Sequence, residues 1–243
     1  MSTLLNKTLS QIVRENYQAA YVFEKYGLDF CCKGKRPLKE ACDDKQVAID
    51  NLLSELNIAL STNATGQDFD RMSLTELSEY IIRVHHGYVK QNIPQIDAYL
   101  SKLALKHGDT YPYLKEVYAL FSELQQELTQ HMLKEERILF PRIKQLEFFG
   151  STQFTADAFL SPINIMEEEH DHAGTLMQKI REITSNYEAP EQACTTHRVA
   201  LAALKGFEED LHQHVHLENN ILFPKAIEQI QTASSGTPSQ CKL

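Results

Sequence analysis

The chain has no tryptophan, and only nine glycines and eight prolines among 243 residues. The missing tryptophan decides nothing. The scarcity of breakers, with no alternating Val/Ile/Thr-rich run, argues against hairpins and sheets and leaves helical spacing nearly everywhere. The expected class is all-α. Any Lys/Arg-rich run is also missing: 24 Lys and Arg face 33 Asp and Glu, a formal net charge of -9. That argues against a nucleic-acid partner and against an anionic membrane. Met1 to Asn6 leads into polar sequence, and no apolar run is long enough for a signal peptide or a membrane span. The chain is therefore expected in the cytoplasm. Five cysteines, two of them adjacent (Cys31 and Cys32), do not read as a secreted disulfide framework.

What is present is 42% hydrophobic residues, enough for a packed core in one large domain or two small ones. Residues 1–60 read as a small helical domain. Thr8 with Gln11 suggests a capping pair, a Cys-Cys-Lys-Gly loop follows Gly27, Pro37 signals a new helix, and Val47 to Leu60 has apolar helical spacing. Residues 61–72 form the expected linker, centred on the small polar run STNATGQD (Ser61 to Asp68). Residues 73–231 read as four long helices. The first opens on a capping box, Ser73 with Glu76, and carries Pro94 as an expected kink. The second spans about Tyr113 to Leu146, bent or broken at Pro141. The third starts at Ser161-Pro162, with proline in the first helical position. The fourth spans about Cys194 to Ile230. Residues 232–243 are expected to be a disordered tail.

The second and fourth helices carry a repeat. HMLKEERILFP (His131 to Pro141) and HVHLENNILFP (His214 to Pro224) both read H-x-x-x-E-x-x-I-L-F-P. His86 and His170 stand in matching places on the first and third helices. The bundle thus looks like two related hairpins, each bringing a lone His and then a His/Glu pair.

Each helix has an apolar seam in steps of three and four, as a bundle core requires. The polar residues that interrupt these seams are His86, His131, Glu135, His170, His214 and Glu218, whereas His85, His172, His212 and His216 fall off them. The second helix's seam continues to Ile138. Glutamates are rarely fully buried unless paired or bound to metal, and two carboxylates facing one core repel unless a cation lies between. His and Glu at i, i+4 share one helix face. Imidazole with carboxylate and no thiolate suits iron, manganese or zinc. Six ligands suit two metals better than one: two glutamates could bridge, with two histidines on each metal and positions left open for an oxo group, water or a small diatomic ligand.

Residues 73 to about 230 resemble the haemerythrin-like domain. The whole chain resembles one family more closely, the Repair of Iron Centres (RIC) di-iron proteins of the YtfE and ScdA types. The residues that carry the likeness are KYGLDFCCKGKRPL (Lys25 to Leu38), HMLKEERILFP, PINIMEEEHDHAG (Pro162 to Gly174), QACTTHR (Gln192 to Arg198) and HVHLENNILFP. The resemblance implies a haemerythrin-like four-helix bundle behind a small helical domain. It implies a cytoplasmic protein that holds two non-haem irons, oxo-bridged, and restores iron–sulfur clusters damaged by nitric oxide or oxidants. Carried over residue by residue, the ligands fall on the same six positions. Two local ambiguities stand: His85 beside His86, and Glu136 beside Glu135.

The implied partners are damaged iron–sulfur proteins and nitric oxide or another small diatomic, with no nucleic acid and no membrane, for a monomer or homodimer. Iron donation, nitric oxide reduction at the metals, or nitrosyl capture by the cysteines would each serve, so enzyme status stays open. The alternative is a haemerythrin-like oxygen or nitric oxide sensor or carrier, which would not need the Cys-Cys domain. Cys31 and Cys32 are candidate reactive residues, because Lys33, Lys35 and Arg36 would favour the thiolate. Cys42 and Cys194 are read as helix packing, and Cys241 as tail. Glu127 and Glu169 are candidates for supporting the ligands or lining a route to them.

Overall fold

The computed structural model describes residues 2–61, 68–150 and 157–234; these are helices and connecting turns, with no strand among them. The chain divides into two compact units. One comprises Met1–Met72 with His212–Ile221, and the other Ser73–Leu211 with Leu222–Leu243.

The first unit is built from α1 (Ser2–Leu5), α2 (Leu9–Glu15), α3 (Gln18–Lys25), α4 (Leu38–Lys45) and α5 (Ile49–Ser61). The expected Thr8/Gln11 pair is a complete capping box at the start of α2. Leu9, Ile12, Phe23, Phe30, Leu38, Leu52 and Leu56 form a core from which water is excluded. The loop that carries Cys31 and Cys32 is pinned by backbone bonds from Ser10 to Gly34 and from Leu9 to Arg36. Gly34 is required there, because a Cβ would stand 2.1 Å from the Phe30 carbonyl oxygen. Phe69–Arg71 forms a single 3-10 turn, and residues 62–67 of the expected linker lie outside the described residues.

After Met72 the first long helix consists of α6 (Leu74–Ile81), one π turn (Ile82–His86) and α7 (Gly87–His107), and it continues through Pro94. Ser73 and Glu76 form their capping box, and Glu147 accepts hydrogen bonds from the first-turn amides of Leu74 and Thr75 at 2.9 Å each. A carboxylate there also faces the positive end of the helix. Next come α8 (Tyr113–Lys134), a π turn (Glu135–Leu139) and α9 (Phe140–Phe149); then α10 (Asp157–Ile183); then α11 (Thr195–Leu217), a π turn (Glu218–Leu222) and α12 (Phe223–Ser234).

The third helix does not begin at Pro162. It is already formed at Asp157, and Pro162 sits inside it. Proline at the sixth helical position leaves the Ala158 carbonyl without its amide donor, and Arg142 donates to that carbonyl at 3.2 Å. The fourth helix reaches Ser234, so residues 232–234 of the expected tail are helical, and 235–243 lie outside the described residues. Ile138, assigned to the seam, is 47% exposed, while Leu139 is buried. The π turn holds one residue more than an α turn and moves the apolar stripe forward by one.

Candidate metal centre

The π turns coincide with the functional side chains. His86 ends the first, Glu135 begins the second and Glu218 begins the third. The ILFP tail of the repeat gives a local reason. Pro141 and Pro224 follow the second and third π turns, and a widened turn moves away the carbonyl that a proline ring would strike in a regular helix.

All six seam residues are buried, with Glu135 and Glu218 at 0% exposure. They fall into two groups of possible ligand atoms, each group within 4.8 Å. One is His86, Glu135, His214 and Glu218; the other is His131, Glu135, His170 and Glu218. The two glutamates are common to both. Glu135 Oε2 lies 3.3 Å from His86 Nε2 and 3.3 Å from His131 Nε2. His131 Nε2 and His170 Nε2 are 2.9 Å apart, and His214 Nε2 is 3.0 Å from Glu218 Oε1.

These spacings fit a metal. Ligand atoms about 2.1 Å from one ion and roughly at right angles to each other stand about 3 Å apart. Imidazole nitrogens and carboxylates, with no thiolate, suit iron, zinc or manganese.

Outside the ligand positions, two carboxylates orient two of the rings. His86 Nδ1 is 2.8 Å from Glu136 Oε1, and Lys90 Nζ is 2.6 Å from the same oxygen. His131 Nδ1 is 2.8 Å from Glu169 Oε2, whose other oxygen is bound by Lys134. Burial works against the charge on Glu136, but Lys90 and His86 hold its carboxyl below the usual range. The bond from His131, opposed by burial and reinforced by Lys134, brings Glu169 down to about 2. A carboxylate accepting at Nδ1 places the ring proton there and turns the Nε2 lone pair toward the group of ligand atoms. Phe140 stacks on His86 and Phe223 on His170, which restricts both rings further.

Glu169, named from the sequence as a possible supporting residue, stands in that position. Glu127 does not; it faces His172 at 3.3 Å. Lys90 and Lys134 were missed in the sequence. Their only signal is a one-turn offset from His86 and from His131 on already assigned helices, too common to single them out. His85 is buried, although it is off the seam: its Nδ1 is 3.0 Å from Asp210 Oδ1.

The cysteine loop departs from its electrostatic expectation. Cys31 is buried, its thiol donates to Asp29 Oδ1 at 3.2 Å, and its Sγ is 3.9 Å from that of Cys32. The contact with Cys32, burial and the Asp29 charge all push the Cys31 thiol well up, not down. Arg36, expected to help, is bound to Asp44. Asn220 Nδ2 donates to the Cys31 carbonyl at 3.0 Å, within the same unit. Cys42 is buried as expected, but Cys194 is exposed, with its Sγ 3.7 Å from His107 Nε2.

Residues 77–226 match the Hemerythrin HHE cation binding domain, and residues 5–60 match ScdA_N, a Domain of Unknown function (DUF542). Relatives named iron-sulfur cluster repair protein YtfE align along most of the chain. That of Cronobacter sakazakii is 37% identical over 210 residues, 86% of this chain and 91% of the relative. Those of Yersinia pseudotuberculosis and Escherichia coli are each 34% identical over 222 residues, 91% of this chain and 97% of the relative. With both domain matches in this order and alignment at this level along nearly its whole length, the chain belongs to the YtfE family of haemerythrin-like proteins.

Proposed function

We propose that this protein holds two non-haem irons and uses them to repair iron–sulfur clusters damaged by nitrosative or oxidative stress. The observation that carries the reading is that two groups of buried ligand atoms share Glu135 and Glu218 while each keeps its own pair of histidines, His86 with His214 and His131 with His170. Glu135 and Glu218 could serve both metals, and the cations would offset the two buried negative charges. The repair role is supported by the names of the relatives. The metals would supply Lewis acidity and redox capacity toward a small diatomic such as nitric oxide, or serve as cargo for an apo-cluster. The chain's own part is to hold Nε2 of His86 and His131 in line through Glu136 and Glu169, and to exclude water from the six donors.

The domain division proposed is a bundle carrying the metals and an N-terminal domain presenting the vicinal cysteines. Of these, Cys32 is the half-buried, outer thiol and Cys31 the buried one.

The test is iron content and iron transfer together. Protein purified with ample iron should carry close to two irons per chain, and transfer to an apo-ferredoxin should outpace loss to solvent. Replacing both Cys31 and Cys32 by Ser should leave iron content intact and slow repair of a nitrosylated iron–sulfur protein. One metal per chain, or zinc alone, would refute the di-iron reading. Repair at the wild-type rate by the double variant would make the cysteines structural.

A further inference from the structure

One side chain ties the cysteine loop to a ligand-bearing turn. Asn220 stands in the π turn Glu218–Leu222, two residues after Glu218, and is buried. Its Nδ2 donates to the Cys31 carbonyl at 3.0 Å. Asp29, both cysteines, Glu218 and Asn220 all belong to the first unit. We propose that a peroxide oxidises Cys31 and Cys32 to a vicinal disulfide, and that this oxidation frees Asn220 and so loosens the turn that holds Glu218. The inference rests on the di-iron reading for what Glu218 would then release.

Two observations carry this. The first is the state of the peptide shared by the two cysteines. Its carbonyl, that of Cys31, accepts from Asn220; its amide, that of Cys32, donates to Asp29 Oδ1 at 2.9 Å. The sulfurs are 3.9 Å apart and must close to about 2.0 Å to bond. No described peptide bond is cis, and Cα atoms across a trans peptide stand about 3.8 Å apart. Disulfide-linked residues usually hold theirs at least about 4.4 Å apart. The disulfide therefore forms only if the shared peptide turns, and turning it carries the carbonyl away from Asn220. The loop is pinned on both sides, by Leu28 N to Phe23 O and by Ser10 N to Gly34 O, so the change is confined to the residues between. The second is what the Asn220 bond joins. It fastens the π turn to a separate element, whereas the contact of the same Nδ2 with His216 Nδ1, at 3.4 Å, stays within one helix.

The chemistry balances with the groups at hand. Cys32 is half-buried and Cys31 buried, so the oxidant meets Cys32 first. With hydrogen peroxide the Cys32 sulfur takes one oxygen, giving a sulfenic acid and one water. The Cys31 sulfur then attacks that of Cys32: the S–S bond forms, the S–O bond breaks, and hydroxide leaves. The Cys31 proton, already donated toward Asp29 Oδ1 at 3.2 Å, turns that hydroxide into a second water. Two thiols lose two electrons and one peroxide is reduced.

The experiment treats full-length, iron-loaded protein with hydrogen peroxide and then catalase, with iron counted first. Mass spectrometry should find the peptide that spans Cys31 and Cys32 lighter by two hydrogens, and dithiothreitol should restore it. Hydrogen exchange at the amides of Glu218 to Leu222 and iron transfer to a chelator should both quicken roughly five-fold, the factor one ordinary hydrogen bond sets on an opening equilibrium. Cys32→Ser should show none of these responses. Asn220→Ala should exchange and release quickly in either thiol state, with no further gain on oxidation. The proposal is overturned if no disulfide forms within the chain, if it forms with exchange or iron transfer unchanged, or if Asn220→Ala responds to peroxide as wild type does. A chain without two irons at the first count would fail the di-iron reading, while the mass and exchange measurements would still decide the switch.

Discussion

Glu169 reaches across from α10 to hold the ring of His131 on α8, with 2.8 Å between Oε2 and Nδ1. It fixes a ring whose other nitrogen faces Glu135 and His170. Glu169→Gln keeps the size and an acceptor but loses the charge, and Lys134 loses its partner. Metal affinity should fall about 10- to 100-fold, the usual cost of losing such support. Competition against a graded series of chelators measures it. Unchanged affinity would mean that the bond orients nothing.

Adjacent histidines on the first helix should behave differently. His86→Ala should lose metal. His85→Ala should keep it and destabilise the fold by about 1–3 kcal/mol, since it strands the Asp210 carboxylate that His85 now meets. Metal content with urea melts separates the two. Loss of metal from the His85 variant alone would reverse the assignment.

Removing the metals should weaken the fold. Glu135 and Glu218 are fully buried, and with no cation between them their charges are left poorly compensated. Chelated protein should melt at lower temperature and regain its midpoint when iron returns. His131→Ala should melt near the chelated wild type and respond little to added iron. Equal melting with and without metal would contradict the proposed centre.

A pH dependence should arise at His197, far from the ligands in sequence. Tyr113 OH is hydrogen-bonded to its Nε2 at 2.8 Å. Burial, then the charges of His107 and Arg198, lower its pKa. An unfolded histidine titrates near 6.5, so below that value the unfolded chain takes up the proton first. The contribution is therefore complete above about pH 6.5 and is lost as pH falls toward the folded value. Urea melts at about pH 7.5 and 5.5 should show stability falling on acidification, and His197→Gln should flatten the slope. An unchanged slope would assign the pH dependence elsewhere.

The Asn220 bond should control access to the buried thiol. Asn220→Ala removes one hydrogen bond, worth about 1 kcal/mol, which corresponds to a roughly five-fold change in an opening equilibrium. Alkylation of Cys31 should speed up by that factor, followed by mass spectrometry of the labelled peptide. Equal labelling rates would show that the loop is held by its own backbone bonds.

The periodicity of apolar residues made the bundle and all six buried polar positions legible, because burying an ionisable side chain on an apolar seam leaves a visible interruption. Both capping boxes were legible for a similar reason: the chemistry is confined to four consecutive residues. The π turns were not, since a hydrophobic pattern carries no mark of one added residue until the backbone phase is known. The displaced seam at Ile138 and Leu139 follows from that. Cys31 was misread because neighbours in sequence stood in for neighbours in space. Its flanking cations do not set its environment; Asp29 and Cys32 do. His85 was passed over because its partner, Asp210, lies 125 residues away.

The repeat has a further consequence. His131 and Glu135 recur as His214 and Glu218, and His86 recurs as His170, so the six donors obey an internal twofold pattern. The supporting carboxylates do not. Glu136 serves His86 from within its own hairpin, and the position matching it in the other hairpin is Asn219; Glu169 serves His131 from the opposite hairpin, and its counterpart is His85. Duplicated ligands with diverged props make the two halves chemically distinguishable. A symmetric cradle would present two equivalent groups of donors, whereas this one would give an ion at each group its own ease of departure.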